Sequence, residues 1–117
     1  MTKIINKSTL LENYGDYGND FIIEIIDMFF EEHIKSIEGI KEAISANDSK
    51  KIDFWAHKIK SSYRNFENPC LPGELSFQLE MMGKENNISN AASVFQELLV
   101  QNTIFIDDLN EIKNELK

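Results

Sequence analysis

Apolar residues recur at helical rather than strand spacing along most of this chain. The periodicity predicts helices over residues 3–14, 19–46, 49–66, 68–84 and 89–116. Clusters of Gly, Asn, Asp, Ser and Pro separate these segments, as expected of turns. Four helices are long enough to pack as an antiparallel up-down bundle, with the first helix as a short addition. No repeat or linker interrupts the pattern, so residues 1–117 are predicted to form one all-α domain.

Several helix ends carry recognisable signals. Asn19 follows Gly18 and is the predicted N-cap of the long second helix. The polar run Glu31-Glu32-His33 predicts a bend or break inside that helix. Asn68 followed by Pro69 predicts a cap with proline in the first turn of the fourth helix. Gly83 reads as a boundary glycine near the end of the same helix.

A helical wheel of residues 49–66 separates an apolar face from a polar face. The residues predicted to face the core are Ile52, Trp55, Ala56, Ile59, Tyr63 and Phe66. His57 lies on the opposite side at roughly 160° from the centre of that face. Ser61 and Arg64 point the same way, and Lys60 stands on the flank. Phe54 also points outward, either as a partner contact or covered by the first helix.

The formal net charge of −8 argues against nonspecific nucleic-acid binding. Residues 50–64 are a local exception, because five cations there face only Asp53. A positive island on an acidic protein predicts an anionic ligand or partner surface. Cys70 is the only cysteine, so an intrachain disulfide is excluded. The sequence shows neither a signal-peptide core nor an apolar run of membrane-spanning length, which predicts a cytoplasmic protein.

Taken alone, an exposed histidine among cations is common on helix surfaces. The surrounding residues, Ala56-His57-Lys58-Ile59-Lys60-Ser61-Ser62, resemble the Ala-His-x-Leu-Lys-Gly-Ser motif of histidine-containing phosphotransfer (HPt) domains. Leu79-Glu80 is similar to the Leu-Glu of the next helix in that family, and the helical layout also fits. Ser61 departs from the family pattern, because glycine usually stands there and keeps the histidine accessible.

The resemblance implies that His57 accepts a phosphoryl group from a receiver-domain aspartyl phosphate and passes it to another receiver. Glu80 would then hold the inner ring nitrogen of His57, with Gln78 as the alternative acceptor. Lys60 would attract the phosphoryl group, and Arg64 could assist it, while Ser61 would affect access to His57. Magnesium would arrive with the receiver, so neither a metal site nor a cofactor is expected in this chain.

The resemblance also implies a hydrophobic docking patch for the receiver near the histidine. Phe54, Phe21 and Ile25 are the candidate docking residues, although packing under the first helix is an alternative for the last two. Receiver domains are the expected partners, with a hybrid histidine kinase as a further candidate. The chain is expected to act as a monomer, without nucleic acid or membrane.

Two other classes of function stay open at this point. A degenerate HPt-like adaptor would bind a receiver or kinase without accepting phosphate, and Ser61 is the residue that favours it. A helical enzyme would need an acid–base pair, a metal cluster or a phosphate-binding loop, and the sequence shows none of these patterns. A phosphoryl carrier without catalytic turnover is therefore the leading hypothesis.

Overall fold

A computed structural model describes residues 3–117 of the chain, and all the regular structure within that range is helical. The five α-helices are α1 (Lys7–Tyr14), α2 (Asn19–Ser45), α3 (Ser49–Arg64), α4 (Leu71–Lys84) and α5 (Ala91–Leu116), and a 3₁₀ turn (Gly15–Tyr17) joins α1 to α2. The predicted all-α fold is confirmed. None of the helices in this range combines the length and apolar character needed to cross a bilayer.

The four long helices pack in the order of the chain, and α5 closes the ring against α2. The pairs are antiparallel: Asn19, which begins α2, lies 3.3 Å from the Leu116 carbonyl at the end of α5. Because α2 and α5 form one edge of this ring, the edge between α3 and α4 lies on the opposite side of the bundle. That second edge carries His57.

Aromatic rings fill the middle of the bundle. Phe29 of α2 contacts the rings of Tyr63, Phe66 and Phe105, with centroids 5.2 to 5.7 Å apart. These residues come from α2, α3, α5 and the turn after α3, so one cluster ties three helices together. Burial of such rings is a large apolar contribution to folding.

The predicted break near His33 is wrong, because α2 is one continuous helix from Asn19 to Ser45. His33 stacks on Phe29, and its Nδ1 lies 3.3 Å from the Asn102 side-chain nitrogen. Asn102 in turn accepts a 2.7 Å hydrogen bond from the Tyr63 hydroxyl. Burial lowers the pKa of His33, which favours the neutral ring that can accept from Asn102. The two glutamates of the polar run are exposed, and His33 is the half-buried end of a polar network with Asn102 and Tyr63.

The first helix starts at Lys7 rather than at residue 3. The backbone N–H groups of Ile4 and Ile5 donate to the Asp108 carboxylate of α5 at 2.5 and 3.0 Å. These contacts hold the segment extended, and the Asn6 side chain then caps α1 by accepting from the Ser8 N–H.

Two of the predicted caps are also wrong. Gly18, with φ of +92°, is the N-cap of α2, so Asn19 is already its first helical residue. The fourth helix starts at Leu71 after Cys70, and Pro72 rather than Pro69 occupies its first turn. Proline is tolerated there because the first-turn N–H groups lack helical partners in any case.

Two glycines permit close helix crossings. A Cβ on Gly39 of α2 would lie 2.4 Å from the Trp55 ring of α3. A Cβ on Gly83 of α4 would lie 2.6 Å from the Ser49 carbonyl and 2.7 Å from the Asp53 nitrogen of α3. Gly83 lies next to the last residue of α4, at the boundary that the sequence predicts, and it also sets how closely α4 approaches α3.

Candidate functional site

His57 stands on the outer face of α3, as the wheel predicts, and its side chain is 62% exposed. The opposite face of the helix is buried: Ile52, Ala56, Ile59 and Tyr63 have no exposed surface. Trp55 is only half-buried, since it lies at the side of the helix against Gly39. The packing of α3 therefore holds the backbone of His57 while leaving its imidazole open to solvent.

Glu80 of α4 lies directly against the imidazole. Its Oε2 is 2.6 Å from His57 Nδ1, although the carboxylate is only 3% exposed. Gln78, the alternative acceptor, is exposed. Among the described residues, Glu80 is the acidic residue that contacts this ring nitrogen. An ionised carboxylate can only accept hydrogen bonds, so Nδ1 carries the proton and donates it. The neutral ring then keeps the lone pair on its outer nitrogen, Nε2.

Lys60 is less accessible than the wheel suggests, with its side chain only 13% exposed. Its Nζ donates to Glu80 Oε1 at 2.5 Å and lies 5.3 Å from the centre of the Phe77 ring. Lys60 lies on the flank of α3, as predicted, but that flank faces α4, which covers the lysine. A helical wheel takes no account of a neighbouring helix.

The Glu80 carboxyl is held in its charged form despite its burial. Burial alone would raise its pKa, but hydrogen bonds from Lys60 and His57 and the positive charge of Lys60 outweigh that effect. The net result is a pKa below the usual value for glutamate. Both oxygens of this carboxylate are therefore occupied, one by the histidine and the other by the lysine.

Ser61 and Arg64 continue the same side of α3. The Ser61 hydroxyl donates to the His57 carbonyl at 3.2 Å, so it bonds back to its own helix. Arg64 Nη2 lies 3.5 Å from Glu74 of α4, and its guanidinium lies 5.9 Å from the centre of the Phe77 ring. Carboxylates of α4 thus partly neutralise the positive island that the sequence predicts.

A second ion pair adjoins Glu80, and the sequence analysis missed it. Lys84 Nζ lies 3.1 Å from Asp53 Oδ1 and 3.9 Å from Glu80 Oε2. Lys84 follows Glu80 by four residues, a spacing that places both on one helix face and could have indicated the contact. Asp53 lies one turn before His57 on α3, whereas Lys84 lies on α4. The crossing of these two helices brings the two side chains into contact.

The three proposed docking residues occupy different surroundings. Phe54 is 57% exposed, which excludes the alternative that the first helix covers it. Phe21 is half-buried against the rings of Tyr14 and Tyr17, at 6.2 and 5.0 Å. Ile25 lines an open cavity of about 240 Å³ between α1, α2 and α3, whose other lining residues include Met28, Glu32, Ser62 and Asn65.

The described residues bring no three His, Cys, Asp or Glu side chains together as a potential metal site. Comparison with curated proteins and with solved structures finds no significant match. The family model of the Hpt domain matches residues 24–116, which cover all of α3, α4 and α5 and most of α2. The chain therefore belongs to the Hpt domain family, whose members are helical phosphocarrier modules of phosphotransfer signalling.

Proposed function

We propose that the protein is a phosphorelay intermediate in which His57 accepts a phosphoryl group from a receiver-domain aspartyl phosphate and passes it to another receiver. The observation that carries this proposal is an exposed imidazole whose Nδ1 lies 2.6 Å from a buried, charged Glu80. Such a partner leaves the nucleophilic lone pair on the exposed side of the ring.

The transfer needs only the nucleophilic imidazole of His57 and a carboxylate that accepts the hydrogen bond from its Nδ1–H. The Nε2 lone pair forms the N–P bond while the P–O bond to the receiver aspartate breaks, and the aspartate leaves as a carboxylate. The imidazole becomes cationic because the proton remains on Nδ1. Glu80 stabilises that positive charge, and the reverse sequence returns the phosphoryl group to a receiver.

Nearby cations offset the roughly two negative charges that the phosphoryl group brings. Lys60 lies one turn after His57 and shares Glu80 with it, so a small movement of its flexible side chain can reach a group on Nε2. Arg64 lies a further turn along and has a weaker ion pair at 3.5 Å. Lys60 is therefore the principal phosphoryl-attracting residue in this proposal, and Arg64 is an auxiliary one.

Receiver docking is proposed along the exposed side of α3. Phe54 lies three residues before His57 on α3. Ser62 lies five residues after His57 and lines the same cavity as Ile25. These positions span about 12 Å along the helix axis, enough to contact a partner helix on both sides of His57. Phe21 supports this surface through Tyr14 and Tyr17. A receiver, and a hybrid kinase carrying one, would meet the protein as a monomer in the cytoplasm.

The chain contains two histidines, which provides a matched test. His57→Gln is expected to lose acid-labile label after incubation with a receiver carrying ³²P on its aspartate. His33→Gln is the control and should keep the label, because His33 lies in the core network of α2 and α5. Circular dichroism should show both variants folded. Label on His57→Gln at the wild-type level would refute the assignment.

The adaptor alternative depends on Ser61 obstructing the histidine, and its geometry argues against obstruction. Since the Ser61 hydroxyl bonds to the His57 carbonyl, it turns toward the helix backbone rather than over the ring. Ser61→Gly is therefore expected to change the transfer rate by less than about threefold, equivalent to under 1 kcal/mol. Rapid-quench measurement of transfer from a labelled receiver tests this. A gain of a hundredfold would instead show an impaired natural site.

A further inference from the structure

Asp53, Lys84 and Glu80 form a continuous chain of charges beside His57. Lys84 Nζ lies within 3.3 Å of both Asp53 oxygens and 3.9 Å from Glu80 Oε2, the same oxygen that faces His57 Nδ1. Lys84 is half exposed, whereas Glu80 is buried. In the unphosphorylated protein Lys84 therefore pairs mainly with Asp53, and its distance from the Glu80 carboxylate is longer.

The close approach of α4 to α3 makes this chain possible. Gly83 precedes Lys84, and a side chain on it would meet the backbone of Ser49 and Asp53. The contact brings the Lys84 stem alongside Asp53, one turn before His57. The position of Lys84 is thus set by backbone packing, although its charged end is accessible to solvent.

Phosphorylation would change the distribution of positive charge around Glu80. In the unphosphorylated protein the hydrogen bonds that lower the pKa of Glu80 come from Lys60 and His57. A phosphoryl group on Nε2 attracts Lys60 and divides its charge between two anions. Glu80 Oε2 keeps the hydrogen bond from the His57 ring, which becomes cationic, but Oε1 loses part of its contact with Lys60 while the carboxylate remains buried.

We propose that Lys84 is a positioning residue that moves from Asp53 toward Glu80 when Lys60 is drawn to the phosphoryl group, and so keeps Glu80 charged. This inference rests on the proposed function. The charged and titratable groups in contact with Glu80 are Lys60 and His57 from α3 and Lys84 from its own helix, with Asp53 behind Lys84. Lys84 is the cation of this set that neither bonds His57 nor faces the phosphoryl group.

The test compares Lys84→Met, Lys84→Arg and the wild type in both phosphorylation states. The ¹³C chemical shift of the labelled Glu80 carboxyl is measured by NMR at mildly alkaline pH, where phosphohistidine is stable, before and after phosphorylation by a receiver. Lys84→Met should leave the shift of the unphosphorylated protein nearly unchanged and displace that of the phosphorylated protein from the wild-type value, because Glu80 then lacks the incoming cation. Lys84→Arg should restore the wild-type value, and Lys50→Met, which removes an exposed cation at the start of α3, should have no effect.

Two results would overturn the inference, and a third would overturn its premise. Equal Glu80 carboxyl shifts in phosphorylated wild type and Lys84→Met would show that Lys84 does not act through Glu80. An equal displacement in both phosphorylation states would show a permanent ion pair rather than an exchange. Absence of label on wild-type His57 would instead refute the proposed function, and the role of Lys84 with it.

Discussion

Gly83→Ala is expected to destabilise the protein by about 2–3 kcal/mol and to disable phosphotransfer. Alanine is more favourable than glycine within a helix by about 1 kcal/mol, so helix propensity alone predicts that Gly83→Ala stabilises the protein. The added Cβ would, however, lie 2.6 and 2.7 Å from backbone atoms of Ser49 and Asp53, which cannot rotate away. The helices must separate, and α4 would then carry Glu80 away from His57. Urea unfolding and transfer of label from a receiver measure the two effects.

Gly15→Ala is the matched control for this substitution. Gly15 has a helical φ of −58°, and nothing lies within 4 Å of an added Cβ. Its replacement should be neutral or stabilising by up to about 1 kcal/mol, since it reduces the freedom of the unfolded chain. If Gly83→Ala were as stable and as active as Gly15→Ala, the close crossing of α3 and α4 would not govern the site.

The second large effect is expected from Glu80→Leu. The substitution removes the acceptor of the His57 Nδ1 proton and leaves Lys60 mostly covered without its partner. We expect a loss of about 2 kcal/mol of stability, less than for a fully buried pair because Lys60 can turn toward solvent. The transfer rate should fall by roughly 10- to 100-fold, since the ring no longer keeps its proton on Nδ1. Urea unfolding and rapid-quench transfer of ³²P measure the two losses.

Glu80→Gln separates the two roles of this residue. The amide oxygen can still accept from Nδ1, so the tautomer is retained, while the ion pair with Lys60 is lost. Its transfer rate should lie between those of the wild type and Glu80→Leu, and ¹⁵N NMR of the His57 ring should show the proton on Nδ1. A Glu80→Leu protein that transfers at the wild-type rate would exclude Glu80 as the residue that orients the ring.

The helix count and the helix faces could be predicted from sequence because both depend on local periodicity. The four long helices lie within a few residues of their predicted ranges, and His57 is exposed as the wheel of α3 requires. The errors occur where a distant residue decides the outcome. Asp108 holds Ile4 and Ile5 extended from about a hundred positions away, and no local pattern of the first residues encodes that contact.

The site likewise combines locally encoded features with features that depend on helix crossings. The partner proposed for His57 came from a family resemblance, and its 2.6 Å separation depends on where α4 crosses α3. Phe77 covers Lys60 from α4, so the wheel of α3 alone makes that lysine too exposed. Gly83 is informative only once its backbone neighbours are known, because a glycine near a helix end usually marks a boundary.

The packing of α1 and α5 has a practical consequence for measuring partner binding. Lys3 and Lys7 pair with Glu111 and Glu115, so the N-terminal segment and the end of α5 leave the bundle at one end. Trp55, two residues before His57, contacts Gly39 of α2. Gly39 follows Asn19, which lies at that same end of the bundle, by twenty residues, or about 30 Å along the helix axis. A tag or surface linker at either terminus therefore lies far from the histidine itself but close to Phe21, at the edge of the proposed docking surface, where it can interfere with receiver binding.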